Sequence, residues 1–482
     1  MLNSTSPSCL PTSRTRLIVI LFAATLLGPL PALAGATGEL EQSAVPQLVC
    51  PSSVPYTLNT YLYGSSTEDP AVCTSDQDTD CLEPTSYIAT RSDGRKVKVS
   101  GVYHWRAAGD TWGDHGFTPR KRLLVHFLTT YLKKLRNAYS ACPNYFTQVY
   151  NQVDFIVSDG IEHNGAWVWE NRLGVAQAME QADMASIFAS IAEQHEKHGY
   201  WKEARGTMGH ALRAARAFFK PVGTHTGGVR SVNQDACAAK TARLRPCFWF
   251  HSRGRGIDTE ATGEPLVNTV LNQHLIAVRD LIELSMTTRE LAHLIPANLP
   301  PPHYDFRTWL TWADLLEDRA IGGLYQLAFS NGHKAVAPTR PPNLAQFMFR
   351  RSGDGQWYYT ARYNFDLLTG QQLDIKHSKV CHYQGLALNV LATIWSILDE
   401  SGHLLTTADG WRLSEAMNRL LQGGGEPVGL LGSSHALYQF YRTEDPDYRT
   451  DIWGCPAAVN RLTQQSYDIF APYFGPWTGG YR

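Results

Sequence analysis

MEQADMASIFASIAEQHEKHGYWKEARGTMGHALRAARAFFKPVGTHTGGV, residues 179–229, leads through a loop to PLVNTVLNQHLIAVRDL, residues 265–281, and this stretch decides the fold. Met184, Ile187, Phe188 and Ile191 recur at spacings of three and four and mark one helix, stopped by Gly199. Ala204, Met208, Ala211, Leu212, Ala215 and Phe219 mark its partner, stopped by Pro221. A loop carrying Gly227-Gly228 follows, and Leu271, Leu275, Val278 and Ile282 then open a third helix. Helix pairs of this kind, set side by side in a ring, build an α/α toroid. The expected fold is therefore mainly α: a toroid or incomplete barrel with a small cystine-containing N-terminal segment.

Outward from this stretch the helical period continues. Leu123, Leu124, Phe127, Tyr131, Leu132 and Leu135 mark a helix upstream, and further ones are expected from about Asp314 to Phe329 and through Ala387, Val390, Leu391, Ile394 and Leu398. Segments near Trp411–Leu421 and Ala457–Phe470 extend the array. Between the helices lie loops rich in Gly, Pro and aromatic residues: GIEHNGAWVWENR (160–172), RPCFWFHSRGRG (245–256) and GDGQWYYTARYNF (353–365). Helices alternating with long aromatic loops fit a ring whose loops line a groove. No fixed repeat length points to a protein-binding solenoid.

Three segments are expected: a signal peptide over residues 1–34, an irregular, partly β segment over 35–119, and the toroid over 120–482. Arg14 and Arg16 precede an apolar run from Leu17 to Leu27, and Ala32-Leu33-Ala34 offers a small-residue cleavage site. A periplasmic or secreted protein follows, with no membrane attachment after cleavage. In the second segment Asp93-Gly94 suggests a turn between strands at Tyr87–Arg91 and Val97–Val102. Eight cysteines remain after the signal, and export favours disulfides over zinc; Cys73–Cys81 and Cys237–Cys247 would close local loops. The chain is 43% apolar and 18% charged with a formal net charge of -1, which supplies no basic field for nucleic acid. An anionic ligand would have to be held by a local cluster of Arg, Lys and His.

MEQADMASIFASIAEQHEKHGYWKEARGTMGHALRAARAF, the Gly227-Gly228-Val229 turn, Leu271-Asn272, Trp357-Tyr358, and His377 and His382 ahead of Leu386 resemble, in order and spacing, the C-terminal helical domain of the D-glucuronyl C5-epimerases. The similarity spans roughly residues 167–398, about half the chain. Val175 stands where that family has an aromatic, Asp183 where it has a second Gln, and Lys376 where it has a Tyr. The resemblance implies an α/α toroid, an acidic polysaccharide as substrate and a tyrosine base, a role it carries to Tyr358. It also implies substrate contacts at Gln181 and Asn272, and the preceding loop keeps Glu264.

C5 epimerisation of a uronate removes a weakly acidic proton alpha to a carboxylate and returns one from the opposite face. That chemistry needs a base on each face, and cationic or hydrogen-bonding groups on the carboxylate, without any cofactor. A phenol titrates near ~10, and neighbouring cations lower it. Tyr358 or Tyr359 is the expected first base and Tyr363 the second, with Arg362 or Arg253 on the carboxylate. If the run is extended, Tyr359 and Tyr363 share one face while Tyr358 and Arg362 share the other. The alternative for any one of these tyrosines is a strand packing its aromatics in a core. His377 and His382, five apart, do not share a helix face, so no metal pair is expected; His382 would orient a tyrosine or touch the uronate. Trp169 with Glu170 and Arg172 reads either as a sugar subsite or as a hydrophobic hinge seating the loop. Asp110, Asp114 and His115 match no calcium-loop pattern and read as a turn.

Two other functions fit the same residues. A polysaccharide lyase shares the C5 proton abstraction and adds β-elimination, and a non-catalytic toroid would hold an acidic exopolysaccharide. Glycoside hydrolysis is less favoured, because no carboxylate pair stands out.

Overall fold

The helical period of the central stretch is realised in the computed structural model as an ordered set of helix hairpins. The structure describes residues 81–91, 93–106, 125–169, 176–221, 227–233, 247–250, 253–254, 267–294, 306–329, 349–351, 357–359, 364–366, 377–400 and 410–422. The chain divides into a unit Met1–Val49 and a unit Cys50–Arg482, and all described residues belong to the second. The expected signal peptide and the segment Ala457–Phe470 lie outside the described residues, as do Glu170, Arg172, Glu264, Arg362 and Tyr363.

Eight helices dominate the described residues: α1 (Val125–Ala141), α2 (Phe146–Asp159), α3 (Ala178–Lys197), α4 (Trp201–Ala215), α5 (Leu271–Glu290), α6 (Phe306–Phe329), α7 (His377–Glu400) and α8 (Gly410–Gln422). The fold is mainly α. α3 and α4 form a hairpin about Gly199, whose φ of +82° suits glycine. Gln181 near the start of α3 bonds the Ala214 carbonyl near the end of α4, so the two helices are antiparallel. α5 and α6 repeat the pattern: His274 meets Gly323, Ser285 meets Ala313 and Arg289 meets Asp314.

The first helices of these hairpins lie side by side. Lys133 pairs with Asp183, Arg136 with Ser190 and Tyr139 with His195, so α1 and α3 run parallel. Ser186 bonds Glu283, and Asp183 lies within the electrostatic reach of Asp280, so α3 and α5 run parallel too. α7 packs on α5, and α8 packs on α6. One layer therefore holds α1, α3, α5 and α7, with the return helices α4 and α6 on it. α3 sits among α1, α4 and α5 and is buried on most of its circumference; Ala178, Ala182, Ala185, Ala189 and Ala192 let its neighbours approach closely.

Strands are short. β1 (Cys81–Thr90) and β2 (Lys96–Arg106) form the hairpin expected about Asp93-Gly94, and both strands extend further away from the turn than the sequence suggested. Its register shifts between Thr85 and Ser86, where Gly101, at φ +79°, is the extra residue of a bulge. The hairpin docks on α2, where the buried Gln152 amide accepts from the Tyr103 N–H and donates to the Tyr103 carbonyl, both at 2.9 Å. Cys142, which opens the turn into α2, is disulfide-bonded. β3 (Ile161–His163) and β4 (Ala166–Val168) pair about Asn164-Gly165, both at positive φ, the two-residue turn that suits Asn-Gly. The remainder are β5 (Arg230–Asn233) with β6 (Cys247–Phe250), β7 (Arg253–Gly254) and β11 (Asn364–Asp366) on either side of β8 (Val267–Val270), and β9 (Phe349–Arg351) with β10 (Trp357–Tyr359).

His274 joins these layers. It is wholly buried, accepts from the Phe250 N–H at Nδ1 (3.2 Å), contacts the Gly323 carbonyl through Nε2 (3.1 Å), and stacks on Trp249 with centroids 4.1 Å apart. Only a neutral ring with its proton on Nε2 satisfies both bonds. Burial pushes its pKa down to about 3 from 6.5. His195, buried with Nδ1 3.0 Å from the Tyr139 hydroxyl, is likewise pushed down by burial, to about 4. Depressed histidines contribute stability that is complete above the unfolded pKa and is lost as pH falls below it. Urea stability should therefore decline between about pH 7 and pH 5, by on the order of 2 kcal/mol from His274 alone. A His274→Asn variant should show a distinctly shallower decline; an unchanged slope would exclude His274 as the source.

Candidate functional site

The parallel layer gives the molecule two distinct ends. Strands β3–β4 precede α3 and β8 runs directly into α5, so the N-terminal ends of α3 and α5 carry the strand-bearing segments. Four of the residues that the sequence singles out, Trp169, Gln181, Arg253 and Asn272, lie on or beside these segments. Arg253, on β7, is in register with Asn268 on β8, and Asn268 is in register with Asp366 on β11. An Arg–Asn–Asp row thus crosses the three-stranded sheet. Asn364, on the same outer strand, opposes Val270, the residue ahead of Leu271-Asn272. Arg253 and Asn272 are brought to one sheet–helix junction.

Asn272 is buried, and its Oδ1 has no hydrogen-bond partner within the protein. The neighbouring Gln273 Oε1 is also enclosed and unbonded. Two amide oxygens without donors at the start of α5 are an uncompensated cost unless a donor arrives from outside. Hydroxyl groups are suitable donors.

Tyr358 and Tyr359 lie on β10. The β9–β10 register sets Tyr358 opposite Arg350, Trp357 opposite Arg351 and Tyr359 opposite Phe349. Tyr358 and Tyr359 thus occupy successive strand positions, as the extended run required, but the described strand ends at Tyr359. His377 is the first residue of α7, and His382 lies five residues further along the same helix.

Trp169 and Gln181 are placed differently from a ligand subsite. Trp169 is 6% exposed, donates from its indole to the Ile156 carbonyl at 3.0 Å, and meets Phe188 edge-on. Gln181 is 1% exposed; its amide nitrogen donates to the Trp167 and Ala214 carbonyls at 2.7 and 3.0 Å, and its oxygen accepts from the Trp169 N–H. Both clamp the β3–β4 hairpin to α3 and α4, so the hinge describes Trp169, and Gln181 has no amide hydrogen left for a substrate. Trp167, on the same hairpin, bonds the Val157 carbonyl and lies 4.4 Å beneath the Arg213 guanidinium.

Sequence reasoning missed a buried ionic cluster on the face shared by α1, α3 and α5. Lys133 Nζ lies 2.6 Å from Asp183 Oδ1, and the Thr129 hydroxyl bonds Asp183 Oδ2. Arg279 directs Nε and Nη2 at Asp280 Oδ1, while Asp280 Oδ2 is enclosed and unbonded. Burial pushes the Asp280 carboxyl up, against the pull of Arg279. The cluster mixes both signs and creates no field for a polyanion. Its signal in the sequence was Asp183, a charge on a helix position flanked by Ala182 and Met184.

Also missed were Arg350, Asn268 and Asp366. The run RRSGDGQWYY, with Gly353-Asp354-Gly355 between two strand-like ends, carries the hairpin that sets Arg350 against Tyr358. Asn268 and Asp366 pair across almost a hundred residues and leave no local signature. Among the described residues, no group of three or more His, Cys, Asp or Glu is placed to hold a metal ion. Nor is any described helix long and apolar enough to cross a membrane.

The described residues form a mainly α fold of layered helix hairpins with short strands. No family pattern, characterised protein or solved structure matches the chain.

Proposed function

We propose that this protein is an exported α/α-toroid enzyme that epimerises C5 of a uronic acid within an acidic polysaccharide. The observation that carries the proposal is the β9–β10 register, which sets Arg350 opposite Tyr358. In this scheme the Arg350 cation favours the phenolate of Tyr358, the form able to take a proton. The parallel succession of α1, α3 and α5 with returning helices packed on it is the arrangement a toroid is built from, and this supports the fold half of the proposal. In this scheme Tyr358 removes the C5 proton, and Tyr359 or Tyr363 supplies the other face. Arg253 or Arg362 neutralises the carboxylate, and His377 and His382 orient the reacting groups. Asn272 accepts a sugar hydroxyl. Residues 1–34 act as a cleaved signal for export.

Incubation with uronate polymers in deuterated water tests the reaction. Deuterium at C5 without an unsaturated chain end is the expected result. Ultraviolet absorbance from an unsaturated uronate would overturn epimerisation in favour of the lyase. Retained binding with neither signal would reduce the protein to a polysaccharide-binding toroid.

A further inference from the structure

At the C-terminal ends of α1 and α3, about 30 Å from the strand-bearing end by the length of a 20-residue helix, aromatic rings are piled at the surface. Phe146 stacks on Tyr200 with centroids 4.0 Å apart and planes inclined by 19°, and on Tyr150 at 5.9 Å and 23°. The two outer rings are not covered: Tyr150 is 43% exposed and Tyr200 36%. Trp201, the next residue and the first of α4, is 62% exposed, the most of any large apolar side chain described. Beneath the pile, Tyr139 and His195 are buried and fix Phe146 from below, with ring centroids 6.4 and 5.3 Å away. The platform is thus rigid on its inner side and open on its outer side.

We propose that Phe146, Tyr150, Tyr200 and Trp201 form a second carbohydrate-binding surface that takes a neutral pyranose by its flat face. An aromatic face suits the apolar face of a sugar ring, and hydroxyls around that ring require both donors and acceptors. Both are present: Arg91, Asp154 and Glu203 are the charged groups that bear on Tyr150, and Asp154 also accepts from the Tyr87 hydroxyl at 2.5 Å. At Tyr150 the two carboxylates outweigh the one guanidinium and disfavour a uronate carboxylate on that ring, with Lys202 beside Trp201 left as a further donor for a neutral ring. A protein partner fits less well, since a stable interface covers roughly 800 Å² on each side and this platform offers a few rings hemmed by charges. The surface lies at the opposite end of the parallel layer from Arg253 and Asn272 and does not depend on the proposed reaction.

The test is binding of the full chain to neutral hexaoses of glucose, mannose and xylose, and to an oligouronate, followed by tryptophan fluorescence and calorimetry. At least one neutral hexaose should bind saturably. Trp201→Ala and Tyr150→Ala should each weaken it by about tenfold, the loss expected of one stacked ring, with unchanged thermal midpoints and unchanged oligouronate binding. Failure of every neutral hexaose to bind, or equal binding by both variants, would overturn the proposal. So would a change of oligomeric state in the variants, which would mark the rings as a contact between copies. Each result is independent of whether C5 exchange is seen in deuterated water.

Discussion

Gly228→Ala should unfold this protein or lower its stability by more than about 3 kcal/mol, at the severe end of single substitutions. A Cβ at this position would lie 1.9 Å from the Pro221 carbonyl oxygen, 2.6 Å from its carbon and 2.7 Å from the Lys220 oxygen. All three are backbone atoms, and they are held in place. The Val229 N–H bonds the Ala217 carbonyl, the Arg230 N–H bonds the Lys220 carbonyl, and Pro221 bridges Arg230. Neighbouring Gly227 adds a left-handed φ of +65° with His163 packed on it, so the turn cannot relax toward that side either. Gly209→Ala is the contrasting substitution. It lies within α4, where an added Cβ meets nothing, and helix propensity alone should raise stability by roughly 0.5–1 kcal/mol. Urea unfolding followed by circular dichroism measures both. A Gly228→Ala protein as stable as the parent would show that the α4-to-β5 connection differs from the one described.

What the sequence made legible follows the range of the interactions. α3 and α4 were readable because their apolar spacing is local and stops stand at Gly199 and Pro221, and α5 was readable from its spacing alone. α2 was not read, although Val149, Gln152, Val153, Ile156 and Val157 are buried at helical spacing. Its β-branched and aromatic composition suggests a strand, and one of its core positions is a glutamine that makes sense only with the Tyr103 backbone opposite it. The β3–β4 hairpin was absorbed into a loop despite Asn164-Gly165, a local signal that was available. Asp183, noted only as a departure from the epimerase pattern, is the partner of Lys133 on α1. That pairing joins positions fifty residues apart, and the Arg253–Asn268–Asp366 row likewise depends on strands far apart in the chain. Tertiary partners, rather than local propensity, decided α2 and these long-range pairings.

Tyr358→Phe should lower turnover on a uronate polymer by about 10²–10⁴-fold, the contribution of a positioned base, while leaving the unfolding midpoint unchanged. The substitution removes one hydroxyl and keeps the ring, so a tyrosine that merely packs would tolerate it with little kinetic effect. Arg350 adds a second, independent readout through the β9–β10 register. If its charge lowers the pKa of the base, Arg350→Met should move the rising, acid-side limb of the pH–rate profile toward higher pH, because a phenol deprived of its cation ionises later. The two variants differ in kind. Tyr358→Phe should remove activity at every pH, and Arg350→Met should recover part of its loss as pH rises. Turnover indifferent to Tyr358→Phe would remove this residue from the reaction and leave Tyr359 and Tyr363 as the bases to test. A normal profile in Arg350→Met, with Tyr358→Phe inactive, would keep the tyrosine and transfer the task of lowering its pKa to Arg253 or Arg362. Because the register sets Arg350 opposite Tyr358 and Phe349 opposite Tyr359, a pH-dependent rescue specific to Arg350 would also identify which of the two adjacent tyrosines takes the proton.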